Sequence, residues 1–111
     1  MLDISTTFHP TAAVLHLQGR LDSSTSKQLE QAAASQIATG QLKLILDFAQ
    51  IDYISSAGLR SVLLVTHQLI DLNGSLSVCN LSPAVLQVFE ISGFSKIISQ
   101  FPSLQDTLAA I

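Results

Sequence analysis

An apolar run, Leu42 to Phe48, leads through a polar stretch to a serine pair, Ser55-Ser56, and directly into an apolar-periodic segment from about Ala57 to Leu72. The first run alternates like a strand and the last repeats like a helix. Leu42, Leu44, Leu46 and Phe48 alternate, and Ile45 adds apolar character to the other side. A strand apolar on both sides belongs in the middle of a sheet. The helix carries Leu59, Val62, Leu63, Thr66, Leu69 and Ile70 and stops at Asn73-Gly74. A central strand that feeds a helix commits the chain to an α/β arrangement.

The flanking segments repeat this logic. Asp3 to Phe8 and Ala12 to Gln18 read as strands of a hairpin, with His9-Pro10-Thr11 as the turn and Gly19 ending the second strand. Asp22-Ser23-Ser24-Thr25 offers N-caps for a helix with Leu29, Ala32, Ala33, Gln36 and Ile37 at helical spacing, ending at Thr39-Gly40. Leu76 to Asn80 is a further strand. Ser82-Pro83 starts a helix striped with Val85, Leu86, Val88 and Phe89 and stopped by Gly93. Ile97-Ile98 reads as a short edge strand, and Pro102 to Leu108 opens a last helix. Alternating strands and helices predict parallel pairing through right-handed crossovers, and the opening hairpin makes the sheet mixed.

The 111 residues suit one compact domain, and a 48% hydrophobic content is enough to fill a core. The longest apolar stretches, such as Val62 to Val65, are far shorter than the roughly 20 residues a membrane span needs. The start, Met1-Leu2-Asp3-Ile4-Ser5, has no signal-peptide character. A cytoplasmic protein is expected, with no membrane association. The net charge is −3 and the five basic residues are scattered, so no basic stripe marks a nucleic-acid binder. The single cysteine, Cys79, reads as core filler in a buried strand.

A serine nucleophile needs a base, yet His9 sits in a turn, His16 on a strand and His67 in mid-helix, none placed by sequence for a triad. The G-x-S-x-G elbow, paired metal ligands and phosphate-cradling loops are all missing. No catalytic residue, metal or cofactor is expected. Asp47 and Asp52 read as residues that end a strand and shape a turn, though Asp47 also lies near the carboxyl end of a strand, where open α/β sheets place ligands. Asp22 reads as a cap of the first helix. Ser55 and Ser56 admit two readings. They can cap the free N–H groups of the helix. One of them can also carry a phosphate, whose charge the helix N-terminus favours.

The element order, with Leu44-Ile45-Leu46-Asp47-Phe48, Ile51-Asp52-Tyr53-Ile54-Ser55-Ser56-Ala57-Gly58-Leu59 and the upstream Leu17-Gln18-Gly19-Arg20-Leu21-Asp22, resembles the STAS domain family of bacterial anti-sigma factor antagonists and their relatives. The resemblance covers essentially residues 1–111 as a single STAS domain. It implies a four- or five-stranded mixed sheet with about four helices packed mainly on one face. It also implies a non-enzymatic module that binds an anti-sigma factor serine kinase. Phosphorylation at the start of the second helix weakens that binding, and a metal-dependent serine phosphatase restores it.

In the family motif an acidic residue precedes the phosphorylated serine, and a small residue and glycine follow. On this chain the phosphoacceptor is then Ser56, with Ala57 and Gly58 after it, and Ser55 in place of the acidic residue as the second choice of acceptor. Asp22 matches an aspartate beside the site that either orients the kinase's reaction or disfavours phosphate by repulsion. Ala57 keeps the surface beside the serine small, Gly58 allows close packing, and Leu59 and Val62 anchor the helix. Tyr53 and Ile54 are rim contacts, or Ile54 is core. The same fold also serves as a sensor or scaffold acting on something other than a sigma factor, or as a nucleotide-binding module.

Overall fold

The computed structural model describes residues 1–111. In chain order it comprises β1 (Leu2–Phe8), β2 (Ala13–Leu21), α1 (Ser26–Ala38), β3 (Lys43–Ile54), α2 (Ser56–Asp71), β4 (Ser75–Cys79), α3 (Pro83–Ser92), a 3₁₀ turn (Phe94–Lys96), β5 (Ser99–Phe101) and α4 (Leu104–Ala110). The five strands lie in sequence order across one sheet. β1 is antiparallel to β2, and every later neighbour is parallel. The expected mixed sheet is therefore present. The hairpin needs only its short turn, in which the His9 and Ala12 backbones bond reciprocally at 2.9 and 3.3 Å. Each parallel step needs a helix to carry the chain back.

Strand alternation sorts the core onto two faces. Leu15, Leu17, Leu44, Leu46 and Val78 point to the side that packs α1 through Leu29 and Ala33, α2 through Leu59, Val62, Val65 and Leu69, and α3 through Val85 and Phe89. Each buried Leu, Val or Phe among them contributes about 1.5–3 kcal/mol of transfer free energy. The opposite side chains, Val14, Ile45 and Cys79, meet Leu104 and Leu108 of α4. That explains why β3 is apolar on both sides. Cys79 is fully buried, and its burial, followed by the Asp47 charge, pushes the thiol pKa up to about 11. It is core filler, as its sequence context suggests. In α2 the apolar stripe includes Val65, whereas Ile70 is 53% exposed.

Three boundaries differ from the sequence reading. β3 continues through Ala49 to Ile54, where a polar turn was expected. β2 likewise runs on past Gly19 to Leu21, and the two extensions pair with each other through register shifts at His16/Gln18 and Gly19/Arg20. Gly19 has φ +118°, and a Cβ there would lie 2.2 Å from the Met1 carbonyl oxygen. A glycine that ends a strand by local rules is here a bulge that continues it. The third difference is at the far edge. Ile98 is buried in the core beyond the 3₁₀ turn, and the short strand is Ser99–Phe101.

A polar chain ties the strands together on the α4 face. The Asp47 carboxylate accepts from His16 Nδ1 at 2.8 Å, from the Asn80 amide at 2.9 Å and from the Ala49 N–H at 3.0 Å. It does not close a turn by itself, as its position suggested. Burial raises the Asp47 pKa, but the bonds from Asn80, Ala49 and His16 outweigh it and hold the group below its ordinary value.

α2 is seated by a close approach. The Ser55 N–H donates to the Leu21 carbonyl at 2.9 Å, and a Cβ on Gly58 would lie 2.5 Å from that same oxygen. The helix can start here only where no side chain stands between it and the end of β2.

Two outcomes test this. Gly58→Ala gains about 1 kcal/mol of helix propensity but forces a backbone overlap costing about 1–3 kcal/mol, so urea denaturation should show a net loss of stability. Asp47→Ala should lose about 2 kcal/mol at pH 7, from bonds to a charged group. Because the folded pKa is lowered, the Asp47 contribution is present above about pH 4, the unfolded value, and fades as pH falls through the folded value. The stability gap between wild type and Asp47→Ala should therefore narrow towards pH 3.

Candidate functional site

The N-terminus of α2 gives its two serines different roles. Ser55 is extended, with φ −97° and ψ 175°, and its hydroxyl accepts from the Gly58 N–H at 3.2 Å. It is the N-cap. Its carbonyl takes the first intrahelical bond, from Leu59 N–H at 2.9 Å. Ser56 is the first helical residue and is exposed. Unlike the Ser55 hydroxyl, its own enters no hydrogen bond within the protein. Ala57 beside it is half-buried, Gly58 is buried against Leu21, and Leu59 anchors the turn in the core. The N–H groups of Ser56 and Ala57 precede the first intrahelical bond, so positive potential faces outward here.

The end of β2 supplies the neighbouring surface. Parallel pairing sets Arg20 opposite Tyr53 and Leu21 opposite Ile54. The Arg20 guanidinium lies 4.4 Å from the Tyr53 ring centroid, and its Nε stands 3.6 Å from Asp22 Oδ2. Tyr53 is 43% exposed and Ile54 only 5%, so Tyr53 forms rim and Ile54 is core. Asp52 is exposed.

Asp22 does not cap α1 with its side chain. Its Oδ1 accepts from the Ser24 hydroxyl at 2.7 Å and from the Ser24 N–H at 3.0 Å. The helix is entered at Thr25, and the Asp22 backbone carbonyl takes the Ser26 N–H at 2.8 Å. The Ser24 hydroxyl, more than any other group, lowers the Asp22 pKa, and the carboxylate is held by Ser24 with Arg20 beside it.

On its other flank α2 meets α1. The buried Ser61 hydroxyl donates to Glu30 Oε2 at 2.6 Å, in the floor of a shallow pocket that also takes in Ala57, Arg60 and Leu64. Neither the Arg20–Tyr53 stack nor the Glu30–Ser61 bond carries a sequence signal. The first depends on a bulge-shifted register, and the second joins residues 31 positions apart.

The site lacks the parts of a nucleophile. No basic side chain bonds the Ser56 hydroxyl, and His67 is exposed on a later turn of α2. His16 stands between Thr7 and Asp47, at 2.9 and 2.8 Å, because strand pairing sets residues 31 positions apart side by side. That cluster lies on the opposite face of the sheet from α2. At Ser56 the hydroxyl is exposed and unpaired at the first position of the helix.

Comparison with known proteins gives concordant matches. The STAS domain model matches residues 3–107. The chain is 47% identical over 94 residues to BtrV of Bordetella bronchiseptica, provisionally named an anti-sigma factor antagonist, covering 85% of this chain and 81% of that protein. The crystal structure of an anti-sigma factor antagonist from Mycobacterium paratuberculosis superposes with a TM-score of 0.91 at 23% identity, covering 100% of this chain and 94% of that one. The Bacillus cell fate determinant SpoIIAA, in its phosphorylated form, superposes with a TM-score of 0.75 at 21% identity, covering 97% of this chain and 98% of that one. With a match over nearly its whole length and a close relative within it, the chain belongs to the STAS domain family.

Proposed function

We propose that residues 1–111 act as a single STAS domain and as an anti-sigma factor antagonist in the cytoplasm. In this reading the unmodified protein captures an anti-sigma factor that is also a serine kinase. That kinase phosphorylates Ser56, the complex weakens, and a metal-dependent serine phosphatase restores the unmodified form. One observation carries the reading: Ser56 offers an exposed, unbonded hydroxyl at the first position of a helix whose cap is already supplied by Ser55. The name of the BtrV relative supports the sigma-factor context.

The switch follows from charge. A phosphate on Ser56 adds about −1.5 to −2 units at neutral pH. Within the domain the helix N-terminus accommodates it, so the fold survives. At a partner surface fitted to a neutral hydroxyl, Ala57 and the Tyr53 rim, the same charge is desolvated without a counter-ion and costs affinity. The domain thus keeps its shape while its face changes sign.

Incubation with the anti-sigma factor kinase of the same organism and ATP, followed by peptide mass spectrometry, should place phosphate on Ser56 and none on Ser56→Ala. Calorimetric titration of that kinase should show Ser56→Ala binding like wild type and Ser56→Asp weakened by about 2 kcal/mol or more, roughly 30-fold. Phosphate on Ser55, or equal affinity of Ser56→Asp and wild type, would overturn the assignment. Ser55→Ala should instead lose about 1 kcal/mol of stability, through the missing cap, and still be phosphorylated on Ser56.

A further inference from the structure

β1 stands at one margin of the sheet and pairs only with β2. In an antiparallel pair, alternate residues turn both backbone groups towards the neighbour and the others turn them away. Bonds at both ends of this pair fix which residues do which. The Met1 carbonyl accepts the Arg20 N–H at 3.1 Å, and His9 and Ala12 exchange their bonds at the turn. Odd-numbered residues therefore face β2, and Leu2, Ile4, Thr6 and Phe8 turn their N–H and C=O groups outward. Gln28 of α1 covers the first of these, its Nε2 donating to the Leu2 carbonyl at 2.7 Å. Ile4, Thr6 and Phe8 have no such cover.

Proteins commonly guard such an edge with lysine, proline or a bulge, because a bare edge pairs with another chain. β1 has none of these guards. Its register against β2 runs unbroken from Leu2 to Phe8, and Asp3 is its only charged side chain. Ile4, Thr6, Thr7 and Phe8 all favour the strand conformation. Phe8 is 65% exposed at the end of it. The opposite margin, β5, is only 3 residues long.

We propose that the β1 edge takes the β1 edge of a second copy of this chain, antiparallel about a twofold axis at Thr6, so that the two sheets become one. The edge is complementary to itself. With Thr6 opposite the partner's Thr6, Ile4 stands opposite the partner's Phe8, and every uncovered outward group enters a reciprocal hydrogen-bonded pair. Ile4 packs against the core under the helices, and alternation puts Phe8 on the same side. The exposed Phe8 ring then covers the partner's Ile4. On the other side of the sheet Ser5 meets the partner's Thr7, and Asp3 meets the partner's His9, so no like charges stand opposed. The register is bounded at both ends. A slip one way brings in Leu2, whose carbonyl Gln28 already holds, and a slip the other way brings in Pro10, which has no N–H. Ser56 lies outside this edge, and the interface does not rest on the phosphorylation reading.

Sedimentation velocity of the full chain over a dilution series tests it and should show a monomer–dimer equilibrium. Thr6→Pro removes the outward N–H at the axis and leaves the bonds to β2 in place. It should weaken the dimer by about tenfold or more, since the twofold axis loses each bond in duplicate, with the circular dichroism spectrum unchanged. Phe8→Lys, which sets a charge against Ile4 of the other copy, should weaken it likewise and serves if the proline variant fails to fold. A short bismaleimide should join Thr6→Cys into a covalent dimer and leave Ile91→Cys, at a position 79% exposed on α3, as monomer. A monomer at every concentration would overturn the proposal and leave β1 a solvated edge. So would a dimer that folded Thr6→Pro and Phe8→Lys both form at wild-type strength, because its interface would lie elsewhere.

Discussion

The contact on which the site depends is a single carbonyl oxygen. Leu21 ends β2, and its oxygen receives the Ser55 N–H at 2.9 Å while Gly58 lies directly against it. This one point joins the end of β2, the end of β3 and the first turn of α2. It orients the cap, and the cap orients Ser56. Because Leu21 is wholly buried, the exposed serine is mounted on core rather than on a flexible loop. Under the proposed function, a phosphate carried on a residue so mounted changes the surface charge without the domain changing its fold.

The two faces of the sheet divide the remaining work. One packs three helices over a continuous core of aliphatic side chains. The other is half apolar under α4 and half polar, with His16 and Asp47 between. Buried polar groups are stable only when paired, and no buried side-chain nitrogen or oxygen is left without a partner. Asp47 shows how such pairing is achieved. Its acceptor sites are filled from β2, from the residue after β4 and from its own strand, so one carboxylate binds three neighbouring strands into a fixed register.

Much of this was legible in the chain. Apolar alternation at Leu42, Leu44 and Leu46 marks β3, and the i, i+3, i+4 spacing of Leu59, Val62, Thr66 and Leu69 marks α2, because both periods follow from backbone geometry. Ser82-Pro83 and Gly93 bound α3, since cap, proline and left-handed glycine act within one turn. The Asp47 to Ile54 stretch misleads for the converse reason. Its aspartates and glutamine favour a turn locally, yet β2 offers it a partner strand, and cross-strand pairing outweighs local preference.

The sequence by itself determined the element order, the mixed sheet and the buried cysteine, because these rest on composition and on spacing within one segment, and the stretch around Ser56 carries the family resemblance. Only the tertiary structure decided which serine caps and which is free, that Arg20 stacks on Tyr53, that Ser61 bonds Glu30, and that Thr7, His16 and Asp47 meet. The Arg20–Tyr53 stack and the Thr7–His16–Asp47 cluster depend on the register between strands distant in sequence, the Ser61–Glu30 bond on how α1 packs against α2, and the choice of cap on where β3 hands over to the first turn of α2. A strand shift of one residue would turn the strand residues among them to the opposite face.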